Sequence, residues 1–188
     1  MFEEHALLEK MYFHELDRKE QLEKSTTLPT GVIVACIGLI GYFFTHYRFG
    51  GSTYFLSTIV EFTFSASSAL SAILIFTAIY WCIRAVTGST YEYLPGAETI
   101  RGYRRDLLDW HRQNRTRGSS RIAEEEFQEF LADALARCSQ KNWQTNLIRS
   151  EELFRTKRFT VLSLVVLAFS AFSYYIDFWF DPLTVPGP

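Results

Sequence analysis

The sequence predicts an all-α membrane protein: three transmembrane helices, with a small helical cytoplasmic domain between spans two and three. Three observations carry that expectation. Of the 188 residues, 48% are apolar, and they clump into long runs instead of recurring at globular spacing. Lysine and arginine gather beside alternate ends of those runs, the mark of loops on the cytoplasmic side of a membrane. Between the second and third runs, apolar residues return at steps of three and four, the period of an amphipathic helix.

Residues 1–27 form the first segment. Leu8, Met11, Tyr12, Phe13 and Leu16 make an apolar stripe, and Glu9, Glu15, Asp17, Arg18, Lys19 and Glu20 a charged face, so an amphipathic N-terminal helix is expected on the cytoplasmic side. Its stripe needs a partner: the inner leaflet, the cytoplasmic domain or copies of itself. The polar break Ser25-Thr26-Thr27, then Pro29 and Gly31, leads into the membrane, where a proline in the first turn costs a helix little.

A transmembrane hairpin follows over residues 28–86, with spans at 28–47 and 54–86, and the third span covers 159–180. Each meets the need for about 20 apolar residues to cross a core of about 30 Å. The charged segment before the first span is unlike the short basic start of a cleaved signal. The second span would be about 50 Å long as a helix, so it tilts or projects beyond the bilayer.

Charge sets the expected topology. Lys10, Arg18, Lys19 and Lys24 precede span one, Arg84 and the 101–121 segment follow span two, and Arg155, Lys157 and Arg158 abut span three. The opposite side carries Arg48 alone, and the outer end of span three with its tail holds only Asp177 and Asp181. The N-terminus and the Arg-rich domain 87–158 are therefore expected in the cytoplasm, and the external tail 181–188 on the far side of the membrane. Within 87–158 the turn-rich TGSTYEYLPGAE leads into a helix from Glu98 to about Arg115. Ser120 is then read as an N-cap, and a last helix from about Asn142 runs on into span three.

Two constellations are candidates for function. In span two, Ser57, Glu61, Ser65, Ser68 and Ala72 recur at steps of four, four, three and four, on one helical stripe. Small and hydroxyl side chains suit close helix packing, and a carboxylate at that depth needs protein, water or a base beside it. The stripe therefore reads either as a packed helix interface or as the lining of a pore between copies, with a ring of Glu61 favouring cations. In RGYRRDLLDWHRQNRTRGSSR, residues 101–121, seven arginines meet two acids. Arg101, Arg105, Arg112 and Arg115 share a face, opposite Tyr103, Leu107 and Trp110, and Arg104 adds to the field. Arginine grips phosphate bidentately, so the face reads as a site for a nucleotide or other polyanion. It reads equally as a lipid contact, or as the partner of the Glu124, Glu125, Glu126 and Glu129 run.

Other chemistries find little footing. There is no P-loop, GxGxxG, GxSxG or HExxH, and Asp109 and His111 fall on different helix faces, so no enzyme activity is expected. The four histidines are scattered and the three cysteines show no CxxC, so neither a metal nor any other cofactor is expected.

The stretch HELDRKEQLEKSTTLPTGVIVACIGLIGYFF, residues 14–44, carries a charged helix of the pattern E-x-x-R-K-x-x-L and a polar Pro-Gly turn into the first span. It resembles the start of small bacterial three-span membrane effectors of anti-phage defence, and with the Arg-rich cytoplasmic segment the layout is similar to that of the Hailong membrane effectors. The resemblance implies a homo-oligomeric channel, held shut by an oligodeoxyadenylate that a partner nucleotidyltransferase makes and opened when that ligand is lost. No functional residue is carried across from it. The alternative expectation is a non-conducting membrane scaffold or subunit that recruits a cytoplasmic partner.

Overall fold

A computed structural model describes the backbone of residues 2–47, 55–114 and 118–180, and the side chains over 4–47, 58–114 and 118–176. The loop 48–53 and the tail 181–188 lie outside the described residues. Everything described is helix or connecting segment: α1 (Phe2–Ser25), α2 (Thr27–His46), α3 (Phe55–Thr87), α4 (Ala97–Gln113) and α5 (Ser119–Phe180). Three helical stretches, within α1–α2, α3 and α5, are long and apolar enough to cross a membrane. The chain divides into two compact units, one of Met1–Leu22 with Ser89–Ile148, the other of Glu23–Gly88 with Arg149–Pro188.

The second unit packs α2, α3 and the C-terminal part of α5 along seams that repeat every 3.5 residues. On α2 the inward positions are Pro29, Ile33, Cys36, Ile40 and Phe43, continued by Tyr47 just past its end. On α3 they are Phe64, Ser68, Ser71, Ile75, Ala78, Cys82 and Ala85, and on α5 Arg149, Leu153, Thr156, Thr160, Ser163, Leu167, Ser170 and Tyr174. Steps of four and three alternate without a break in each helix. That period is slightly shorter than the helix's own 3.6 and keeps one edge turned to a neighbour only if the helices coil left-handedly. Small and hydroxyl residues on the seam let backbones approach closely, which is how helices associate where lipid removes the hydrophobic drive. Aromatic rings close one end: Tyr47 stacks on Phe64 at 3.9 Å, and Phe43 meets Tyr174 at 5.5 Å. At the other end Arg149, almost fully buried, donates from Nε to the Ala85 carbonyl at 2.9 Å. It thereby satisfies one of the orphan carbonyls in the last turn of α3. Ile59, Phe62, Leu70, Ile73 and Phe76 on α3, with Val161, Val165, Phe169 and Phe172 on α5, point outward and are exposed. So large an apolar exterior suits lipid and not water.

The first unit is held by polar clamps. Asn142 on α5, with no exposed surface, donates to the Glu92 carbonyl and accepts from the Glu92 N–H, both at 2.9 Å. It meets both backbone groups of one residue in the non-helical segment 89–96, as a neighbouring strand would. One helical turn on, Asn146 accepts from the Tyr91 hydroxyl at 2.6 Å and donates to the backbone carbonyl and carboxylate of Glu15 on α1 at 2.8 and 2.9 Å. Tyr12 fills a small core with Leu135 and Cys138, flanked by Leu8, Leu16 and Leu94. The stretch that reads as turn-rich is thus a non-helical strap in which backbone groups of Thr90, Glu92 and Leu94 are satisfied by side chains.

Helix α5 differs from the sequence expectation. It is one helix of 62 residues, with no break between the Ser120 segment and the one from Asn142. Its cap also lies earlier than Ser120: Gly118, at φ 77°, accepts from the N–H groups of Arg121 and Ile122 at 3.0 and 3.2 Å. Only glycine adopts that φ without strain. The unit boundaries fall after Leu22, Gly88 and Ile148, where the sequence reading divides the chain at 27, 86 and 158.

Candidate functional site

Three of the five stripe positions in span two fall in the register of the α3 seam. Counting back from Phe64 and Ser68 in alternating steps reaches Glu61 and Ser57, whereas Ser65 and Ala72 stand one residue off, beside the true seam positions Phe64 and Ser71. Ser68 is 1% exposed, and its hydroxyl has no hydrogen-bond partner among the described residues. Glu61 and Ser65 are half-buried, and the side chain of Ser57 lies outside the described residues. The hydroxyls that join α3 to α5 are neighbours of the predicted ones. Ser67 Oγ lies 2.7 Å from Ser170 Oγ, and Ser71 donates to the Ser163 carbonyl at 3.2 Å. Alternation of four and three from Ser68 reaches Ser71, and on α5 it runs through Thr156, Thr160, Ser163 and Ser170, whereas Ser67 lies one residue off that seam and no spacing singles it out.

On α4, Arg101, Arg105 and Arg112 are exposed along the outer face. Arg101 and Arg105 make no ion pair with another described residue, and Arg112 sits 3.7 Å from Asp109 on its own helix. Arg104 faces the other way. Its Nε and Nη2 donate to Glu124 Oε2 at 3.0 and 2.8 Å, and its guanidinium lies over the Phe127 ring at 5.8 Å. The hydrogen bond from Arg104 holds the Glu124 carboxyl below the usual carboxylate range. Arg121 stands 3.8 Å from Glu125. Arg115 lies outside the described residues.

The face of α4 turned to α5 is rotated from the expected one. Tyr103 does meet Phe130, at 4.3 Å between ring centroids, and Leu107 is half-buried. Trp110, however, is exposed, and His111 takes the buried position with Nε2 3.1 Å from Glu126 Oε2. Its Nδ1 has no hydrogen-bond partner among the described residues. A ranking by hydrophobicity chooses the tryptophan. The carboxylate that α5 brings to this face chooses the histidine.

The site therefore has two parts that the structure describes separately, a polar seam in the apolar unit and an arginine face on the helical unit that carries the strap. No protein-family model, no curated protein and no solved structure matches this chain, so its function is read from this geometry.

Proposed function

We propose that the protein is a homo-oligomeric ion channel or membrane-depolarising effector. It would sit in the bacterial inner membrane with its N-terminus and residues 89–148 in the cytoplasm, gated by an anionic, nucleotide-derived ligand such as a short oligodeoxyadenylate. The observation that carries this reading is the outer face of α4. Arg101 and Arg105 are spent on no described carboxylate while Arg104 beside them is, so their guanidinium donors are available to a ligand. Along the helix Arg101, Arg105 and Arg112 rise by about 6 and then about 10 Å, a ladder suited to an anion with more than one phosphate. The ligand acts by binding closed and open states unequally. A nucleotidyltransferase encoded in the same operon is the partner this reading asks for, and anti-phage defence its setting.

Conduction requires several copies. The seam inside one copy is filled by its own side chains, so ions would pass between copies, where the half-buried Glu61 and Ser65 and the exposed Thr58 and Thr63 are among the polar groups that α3 leaves at least partly open. A second reading, a non-conducting scaffold, is favoured by a specific observation: Ser68 and Ser71 are spent on packing within the chain.

Dye-loaded vesicles separate the two. Ion flux from the reconstituted protein that changes on adding short oligodeoxyadenylates, with altered cation selectivity in Glu61→Gln, is the expected result. An inserted oligomer that carries no current under any condition would establish the scaffold. Arg101→Ala with Arg105→Ala should weaken the ligand response about tenfold or more, two charge-assisted contacts being lost.

A further inference from the structure

A cluster apart from both sites lies where two apolar helices give way to charge. The apolar run of α3 ends on Trp81, Cys82 and Ile83 and is followed at once by Arg84. On α5 the apolar run begins at Phe159, four residues after Arg155. The two arginines stand at one level, because both guanidinium groups lie over the same indole: Arg155 at 4.5 Å and Arg84 at 5.4 Å from the Trp81 ring. Tryptophan collects at the membrane–water boundary, its ring apolar and its N–H wet, so this shared ring marks the level of the headgroups.

Each arginine is anchored but not exhausted. Arg84 donates from Nε toward Glu152 Oε1 at 3.1 Å, and Arg155 pairs through Nη2 with Glu151. A guanidinium has five N–H donors, and the two side chains are 51% and 44% exposed. Across Arg84 and residues 149–158, leaving aside the buried Arg149, which pairs with Glu23 at 3.8 Å, stand four bases (Arg84, Arg155, Lys157, Arg158) against two acids (Glu151, Glu152), a surplus of two positive charges. Below Arg84, on the same side of α3, the exposed Tyr80, Ile83 and Phe76 give an apolar path into the membrane.

We infer that Trp81, Arg84 and Arg155 form a binding site for an anionic phospholipid. The phosphate sits on the free N–H donors of the two arginines, and an acyl chain lies along Phe76, Tyr80 and Ile83. The indole holds the two guanidinium groups side by side against their mutual repulsion, and the anion offsets that repulsion. Because α3 and α5 each contribute an arginine, the bound lipid fastens the two helices at this end of the unit. The site is independent of the α4 arginines and of any nucleotide ligand.

The test uses the purified full chain in detergent, titrated with phosphatidylglycerol, with phosphatidylcholine of the same acyl chains, and with inorganic phosphate. Native mass spectrometry reads the lipid retained, and melting temperature reads its effect. The expected result is retention of phosphatidylglycerol over phosphatidylcholine with a raised melting temperature, and no such rise with inorganic phosphate. Arg155→Gln should lower that preference about fivefold, the effect of one arginine near an anionic surface, and Arg155→Lys should keep part of it. Arg84→Gln strands the buried Glu152 carboxylate, so if it does not fold, Arg155→Gln, whose partner Glu151 is exposed, decides alone. An unchanged preference in Arg155→Gln overturns the site, and stabilisation by inorganic phosphate equal to that by the lipid makes it a soluble-anion site instead.

Discussion

Asn142 and Ser68 show how differently two buried polar side chains bear on the same chain. Asn142 is spent on both backbone groups of Glu92, so Asn142→Ala should orphan a donor and an acceptor and lower stability by about 1–3 kcal/mol. It should also raise hydrogen exchange in residues 89–96, which would be the first amides to respond. Ser68 has a hydroxyl with no described partner at a position 1% exposed. Ser68→Ala should therefore be neutral, or stabilising by about 1 kcal/mol, when melted beside the parent. A clear loss in Ser68→Ala would mean that the hydroxyl is satisfied in the folded protein. Neither outcome is legible in the sequence, where an asparagine in a helical pattern and a serine in a membrane run carry no sign of what they meet. Glu61 and Ser65 belong with them: their residue types announce a polar stripe, but their half-buried state follows from which residue the seam turns inward.

At the scale of the element, the alternation of four and three decides which face of each long helix is inside. Ser163 on α5 is fully buried and within reach of Ser71 through its backbone carbonyl. Val165, two residues on, is exposed. Ser163→Leu should overpack the seam and cost about 1–3 kcal/mol, whereas Val165→Leu, facing lipid, should leave the melting temperature within a degree or two of the parent. Equal effects of the two substitutions would mean that the seam is not the packed face. The existence of α2, α3 and the apolar part of α5 was legible, since length and hydropathy suffice for that. The unbroken course of α5 was not, because the polar stretch around Ser139 to Asn142 reads as a join until the strap is seen to lie against it. The cap was missed for a related reason: Ser120 has the side chain of a cap, but Gly118 has the backbone freedom.

For the whole molecule, three apolar helices in one chain put its two ends on opposite sides if all three cross. By the positive-inside rule, residue 120 is then expected on the cytoplasmic side. With Cys36, Cys82 and Cys138 replaced by Ala, a single labelling site, Ser120→Cys, exposed near the start of α5, should react with an impermeant thiol reagent in inverted membrane vesicles and not in intact cells. Labelling in intact cells would reverse the orientation on which the cytoplasmic ligand of the proposed function depends. Composition and periodicity by themselves determined that the chain is helical, where its apolar runs lie and which segment collects arginine, because these are properties of short stretches. Tertiary structure alone decided that Arg104 is consumed by Glu124 while Arg101 and Arg105 are not, that His111 and not Trp110 is buried, and that Arg84 and Arg155 share one indole. Each of those depends on a residue fifteen or more positions away, and the pairing of distant residues follows from how helices pack, which no local pattern encodes.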